Sequence, residues 1–500
     1  MSKTIDPDFL ALALTATADA ALSAAKNAGA SHVDVRIERI RTGYLQLRDA
    51  HPETQRDDTV TGVGVRVIVN GAWGFASSPE ISPAVAAKLA ATAVAMAKTS
   101  KPLATEEVAL AAEPIYSNRT WVSDYAEDPF SISDEAKVAR LSDLSNKLLK
   151  SGNVNHVGAN TMYVKEQKFY ADSYGTSTTQ QRVRIQTQIE AVNVGDHGFE
   201  SMRTLAQPAG FGWEWMSNHV YDWDAEIDEL PSLLAEKVKA PSVEARKYDL
   251  LIDPSNLWLT IHESIGHATE LDRAIGYEAN YAGTSFATPE KLNTLKYGSG
   301  LMNVTGDRQT PHGLSTVGFD DEGVEAQRWD IIKDGTLVGY QLDRRISARV
   351  GRDRSNGCAF ADSPAHVPIQ RMPNVSLQAD PKGPDMAGLI ADVEDGILIK
   401  GDNSWSIDMQ RYNFQFTGQQ FHRIKNGKIV GQLKDVAYQA TTTDFWNAMR
   451  TVGGPSTYVL GGAFNCGKGQ PGQVAAVSHG CPAAVFTQIN VLNTVAEAGA

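Results

Sequence analysis

Apolar residues recur at helical spacing from residue 8 to residue 28 and predict a first helix that stops near Gly29. Alternation of period two takes over at Val33–Ile40 and Tyr44–Arg48, and again from Val63 to Val69, where it meets Asn70-Gly71. That pair suits a type I′ turn, and Trp73 and Phe75 resume the alternation, so TGVGVRVIVNGAWGFASS is predicted to be a hairpin. Ala-rich residues 83–98 predict a helix, while Thr99–Asn118 mixes Pro, Thr and Glu without a period and reads as a linker. A helix over Ser133–Lys150, strands between Asn155 and Val194, and a helix near Ile227–Val238 complete the first half. Pro241 and the polar run after it mark a boundary near residue 240. Beyond it, after one more helix, short strand patterns such as Arg328–Ile332, Thr336–Asp343 and Phe414–Ile424 dominate. The expected class is α+β, with a mixed α/β half over residues 1–240, subdivided near 99–120, and a β-rich half over 241–500 that opens with a helix.

Five hundred residues exceed what one core usually organises, and 42% hydrophobic content is enough for sizeable cores. Against 59 acidic residues stand 46 Lys and Arg, a net charge of −13 that disfavours holding nucleic acid or an anionic membrane by electrostatics. Asp6, Asp8 and Asp19 interrupt the N-terminal stretch, unlike a signal peptide, and a soluble, cytoplasmic protein is expected. Cys358, Cys466 and Cys481 are too few and odd in number for a disulfide framework, so reduced thiols are expected, one of them a candidate ligand.

The chemistry concentrates after Asp253-Pro254, a strong helix opening because Asp caps free amides and Pro at the first position loses no needed bond. In PSNLWLTIHESIGHATELD, Trp258, Ile261, Ile265 and Ala268 form an apolar stripe and leave His262 and Glu263 on a neighbouring face. The motif is HExxxH. Residues five apart on a regular helix differ by roughly 140° of rotation, so both imidazoles reach one ion only if the helix widens. A π-bulge does this, and Gly266 is expected to tolerate the unusual backbone. With zinc on His262 and His267, Glu263 beside the first ligand suits a general base acting on water; the bland alternative makes both histidines surface or capping residues. Cys466, in the glycine-dense GGAFNCGKGQPGQ, is the favoured third ligand, against its plainer reading as a small buried residue. Cys481, His479, Glu270, Asp272 and Glu278 compete and rank below it, acidic residues after a helix being more often solvated. Gly462–Lys468 has phosphate-loop spacing, but Gly469 stands where Ser or Thr should bind magnesium, and nucleotide hydrolysis is rejected. The aromatic run FGWEWM (Phe211–Met216) reads first as core and second as cavity wall, and His312, His366 and His422 are isolated.

Five ordered landmarks, GVGVRVIVNGAWGFASS, HESIGH, DDEGVEAQRWDIIKDGTLVGY, QRMPNVSL and NCGKGQPGQ, make the chain resemble the TldD/PmbA family over most of its length. HExxxH marks the TldD-like catalytic kind of subunit. The resemblance implies a zinc-dependent peptidase acting on small or unfolded peptides, paired with a PmbA-like partner as a heterodimer. It also implies that the zinc sits on His262, His267 and Cys466. Addition of an extended peptide to a strand edge of the β-rich half would explain low sequence specificity. The competing expectations are a non-catalytic modulator or binding subunit with a structural metal, and a zinc hydrolase of non-peptide amides. A structural zinc fills four positions with protein ligands and a catalytic one does not.

Overall fold

The computed structural model describes residues 4–497 apart from 197 and 470; Gln470, inside the NCGKGQPGQ landmark, therefore lies outside the described residues. The α+β class holds. Two short helices, α1 (Pro7–Leu10) and α2 (Leu14–Asn27), replace the single predicted first helix, and α2 ends before Gly29, whose φ is +96°. By length and composition alone the stretch Pro7–Asn27 would suffice to cross a membrane; here Phe9, Ala18, Ala21 and Ala25 are buried in the core.

The first half is one seven-stranded sheet with the order β3-β2-β1-β5-β6-β4 and β7 on β6. Its strands are β1 (His32–Arg48), β2 (His51–Val69), β3 (Ala72–Ser78), β4 (Arg119–Val122), β5 (His156–Asp172), β6 (Ser177–Gly195) and β7 (Gly198–Arg203). The predicted hairpin is β2–β3, with Asn70 and Gly71 at φ +50° and +72°, as a type I′ turn requires. Val33–Ile40 and Tyr44–Arg48 are not two strands but one. Gly43, the apparent break, stays in the ladder because a side chain there would collide with the Tyr163 ring, 2.1 Å from the Cβ position. The odd positions are apolar at the two ends of β1 and carry Arg39 and Arg41 between them. Val33, Val35 and Ile37 pack under α2 and α3 (Pro83–Ser100), and Leu45 and Leu47 join the core beneath α4 (Asp134–Leu149) and α5 (Trp223–Lys239). Trp213, Trp215 and Met216 belong to that second core, so the FGWEWM run is packing.

The even positions Asp34, Arg36 and Glu38 are also buried, because the second half covers that face. The expected linker is a strap. Ala111 exchanges hydrogen bonds with Arg344, and Glu106 pairs with Arg345 and Arg349.

In the second half, β8 (Arg246–Ile252) lies between the strands Asp395–Ile407 and Ala484–Asn493. Val436–Thr441 and Asn413–Lys425 follow, and Asn413–Lys425 pairs back to Asp395–Ile407, so the sheet closes on itself. Two of these strands run 13 residues, longer than the short strands expected. The predicted strand Thr336–Asp343 shrinks to Thr336–Leu337, because the amides of Val338 and Gly339 both turn onto Ile331 O and break the ladder there. Inside the closure runs α6 (Pro254–Ile261), the helix that carries the motif.

Candidate metal centre

Asp253 accepts the Ser255 amide and Pro254 occupies the first turn, so α6 starts as the sequence directs. Every residue from Pro254 to Ile261 is buried, so the expected one-sided stripe is replaced by burial all round. Asn256 pins the helix by donating Nδ2 to Gly401 O and Thr417 O, both at 2.9 Å. Each fully buried Leu or Ile here contributes roughly 1.5–3 kcal/mol, so the scaffold under the motif is rigid.

From His262 to Gly266 the helix widens into a π-turn, and His267 N donates to His262 O, five residues back. The widening leaves carbonyls that need donors, and side chains supply them. Ser264 Oγ donates to Thr260 O, Thr269 Oγ1 to Ile265 O, and Gln341 Nε2 to Gly266 O. Tyr297 O–H donates to Ser264 O. The backbone of Gly266 itself stays helical at φ −52°. Its missing side chain serves a different end from the one expected, since a Cβ would lie 2.5 Å from Met372 Sδ.

The π-turn brings His262 and His267 together with Cys466, their ligand atoms all within 4.8 Å of one another. Cys466 Sγ is 3.6 Å from His267 Nε2. All three residues are 5% exposed or less.

Partners behind the histidines decide which nitrogen faces the cluster. His479 Nδ1 lies 2.9 Å from Val375 O, which can only accept, so this nitrogen carries the proton. Burial, with the neighbouring His262, holds His479 well below the ordinary histidine range, and a neutral ring then leaves Nε2 as an acceptor. His262 Nδ1, 2.7 Å from that Nε2, is therefore the donor, and His262 Nε2 is left with its lone pair for a ligand. His267 Nδ1 likewise donates to Glu270 Oε2 at 2.8 Å and keeps Nε2 free. Burial lowers the pKa of both histidines. Burial alone would raise that of Cys466, but His267 and Arg371 outweigh it and the thiol is lowered. Two imidazoles that turn Nε2 toward a thiol are the donor set zinc takes.

The competitors sit elsewhere. Cys481 Sγ faces Pro254 O at 3.8 Å. Glu270, Asp272 and Glu278, expected to be solvated, are buried around Lys468, whose Nζ is 3.0 Å from Glu270 and 2.8 Å from Asp272. The lysine of the rejected phosphate-loop pattern is thus the counter-ion of a carboxylate cluster that reaches His267 through Glu270. Arg371 Nη2 donates to Cys466 O. Glu263 is paired with Arg411, Nη1 to Oε2 at 2.6 Å, a contact with no local sequence signal. His312 stacks on Phe211, His366 pairs with Asp362 and His422 meets Gln420, all outside the cluster.

The cluster opens on a cavity of about 500 Å³ between the two halves. Gln186, Gln188 and Gln207 line it from the first half, and Trp405, Arg411 and Asn465 from the second. The strand Val459–Lys468, which carries Cys466, pairs on one side with Gln473–Cys481 and has no strand partner on its other side among the described residues.

The comparisons with known proteins agree along the chain. Residues 245–493 match the PmbA/TldA metallopeptidase C-terminal domain, and residues 33–97 match domain 1 of the same metallopeptidases. A metalloprotease of Methanocaldococcus jannaschii is 25% identical over 83% of this chain and 87% of its own length. A zinc metalloprotease TldD homolog of Saccharolobus solfataricus is 22% identical over 92% and 96%. The crystal structure of TldE from Thermococcus kodakarensis superposes with a TM-score of 0.74 at 14% identity, over 94% of this chain and 98% of that one, a likeness of fold. The motif helix, the hairpin and the matched domains together place this chain in the PmbA/TldD metallopeptidase family.

Proposed function

We propose that the chain is a zinc-dependent peptidase of low sequence specificity, with His262, His267 and Cys466 holding the ion and Glu263 acting as general base. One observation carries the reading: three protein ligands converge, and the nearest further donor, His479, has spent both ring nitrogens on His262 and Val375. Three ligands with an open side toward a cavity are the pattern of a catalytic site, whereas a structural zinc is closed by a fourth. When bound, the ion supplies a Lewis acid that acidifies water and polarises a carbonyl. Glu263 takes a proton from the attacking water and returns it to the leaving amine nitrogen, so that the C–N bond breaks and a C–O bond forms.

The substrate reading rests on the cavity wall. Its glutamine and asparagine amides carry no charge and suit main-chain amides of any sequence, and the free side of Val459–Lys468 suits an extended peptide. A reducing cytoplasm suits three free thiols. The likeness to TldE supports pairing with a PmbA-like subunit. The test is bound zinc per chain for the parent and Cys466→Ser, followed by cleavage of an unfolded peptide with and without the partner. Near-stoichiometric zinc that falls sharply in Cys466→Ser is expected; zinc unaffected by the substitution would remove Cys466 from the site.

A further inference from the structure

Between the strands Asp395–Ile407 and Asn413–Lys425 the chain makes a turn that puts a non-glycine residue, Arg411, at φ +63°. A side chain in that conformation is unfavourable on its own and persists only when surrounding bonds hold it. They do. The Asp408 carboxylate accepts from the amides of Gln410, Tyr412 and Asn413 and from Asn413 Nδ2, at 2.7–3.0 Å. Thr442 Oγ1 donates to Arg411 O at 2.8 Å. The turn is also fastened to the segment after the motif helix, with Thr284 N on Met409 O and Phe286 N on Gln410 O.

The product of this bracing is the placement of one guanidinium. Arg411 Nη1 lies 2.6 Å from Glu263 Oε2, and both side chains are largely buried, at 14% and 7% exposed. Oε1 of Glu263 has no hydrogen-bond partner among the described residues. One oxygen is therefore tied and the other is free on the side of the cavity that both residues line.

We infer that Arg411 is a positioning residue that fixes the Glu263 carboxylate in the orientation in which its free oxygen serves the reaction. This rests on the base role proposed above for Glu263. A carboxylate on a single flexible side chain otherwise samples several rotamers, and a misplacement of 1 Å costs on the order of 100-fold in rate. A charge-assisted bond from a braced arginine removes that freedom.

The test uses Arg411→Gly, because glycine adopts φ +63° without strain and the turn keeps its own hydrogen bonds. With an internally quenched peptide as probe and the chain with its partner, kcat falls on the order of 100-fold while KM and bound zinc stay at the parent values. Arg411→Lys restores part of kcat through one ammonium contact. In crystals of Arg411→Gly the Glu263 side chain leaves its present position while His262 and His267 keep theirs. A Glu263 side chain that stays in place, an unchanged kcat, or a raised KM at full kcat would each overturn the inference. Glu263→Gln, run in parallel, separates the two levels. Turnover lost there but kept in Arg411→Gly defeats the positioning role alone, and turnover kept in Glu263→Gln defeats the base role and this inference with it.

Discussion

His479 shows how much of a metal centre lies behind its ligands. It touches neither His267 nor Cys466 by hydrogen bond, yet its acceptor nitrogen fixes the proton of His262 on Nδ1 and so frees Nε2. Partners of this kind are worth 10–100-fold in metal affinity, and His479→Ala is expected to weaken zinc binding on the order of 10- to 100-fold. Titration against a chelator of known affinity measures it; unchanged affinity would mean that His262 finds its orientation without help. Lys468 acts at the same scale through charge. It is the shared partner of Glu270 and Asp272, all of them buried; in Lys468→Met, Glu270 keeps Arg273 and His267, while Asp272 loses its cation. Breaking a buried pair on one side costs about 3–5 kcal/mol, a large part of a typical stability of about 5–15 kcal/mol. Denaturant unfolding should show that loss. The convergence of His262, His267 and Cys466 was legible in the sequence, because few residue types suit a metal and the spacing of the two histidines limits how they can meet. His479, Lys468 and Arg411 were not, since their partners lie 217, 198 and 148 residues away and nothing local betrays the contact.

The π-turn of His262–Gly266 is the element on which the cluster depends, and the rotation argument for HExxxH was enough to require it. What the sequence could not supply was the donor set that makes the wide turn affordable: Tyr297 and Gln341 come from other parts of the chain. Gly266 gives a test of how tightly the turn is packed. Its backbone is ordinary for any residue, so Gly266→Ala acts by crowding alone, its Cβ meeting Met372 Sδ at 2.5 Å and Cε at 2.9 Å. Overpacking of this kind costs about 1–3 kcal/mol, and bound zinc should fall with it as the turn shifts. Met372→Ala opens the same space, so the double variant is expected to bind more zinc than Gly266→Ala alone. A double variant no better than the single would locate the glycine requirement in the backbone after all. The long strand β1 shows the opposite limit of legibility: period two was plain at both ends, but the join through Gly43 depends on the Tyr163 ring of the neighbouring strand.

At the scale of the whole molecule, the polar face of β1 explains why the two halves act as one. Asp34, Arg36 and Glu38 alternate with Val33, Val35 and Ile37, and the second half buries that charged face with the segment Asp320–Gly323. Asp321 takes Lys168 at 2.7 Å, and Glu322 takes Arg66 at 3.0 Å and the Arg344 amide at 2.9 Å. Residues 1–240 and 241–500, expressed apart, would each expose unpaired members of this network, and we expect soluble, folded material only when they are produced together; separate expression with circular dichroism checks it. The same interface sets a pH dependence. Burial, and then Glu322, pushes Asp343 up to about 7 and Asp320 up to about 8. In the unfolded chain an Asp loses its proton near pH 4, so between about pH 4 and these raised values the folded state binds more protons than the unfolded one. Stability therefore falls as pH rises through that window. Asp343 caps the helix that starts at Arg344 by accepting the Ile346 amide, a bond asparagine can also accept, so Asp343→Asn keeps the cap and removes one titration. Melting temperatures measured from pH 5 to pH 8 should decline less steeply in Asp343→Asn than in the parent. Parallel declines would mean that Asp343 is ionised in the folded protein throughout, with Arg66 compensating its charge more strongly than burial opposes it.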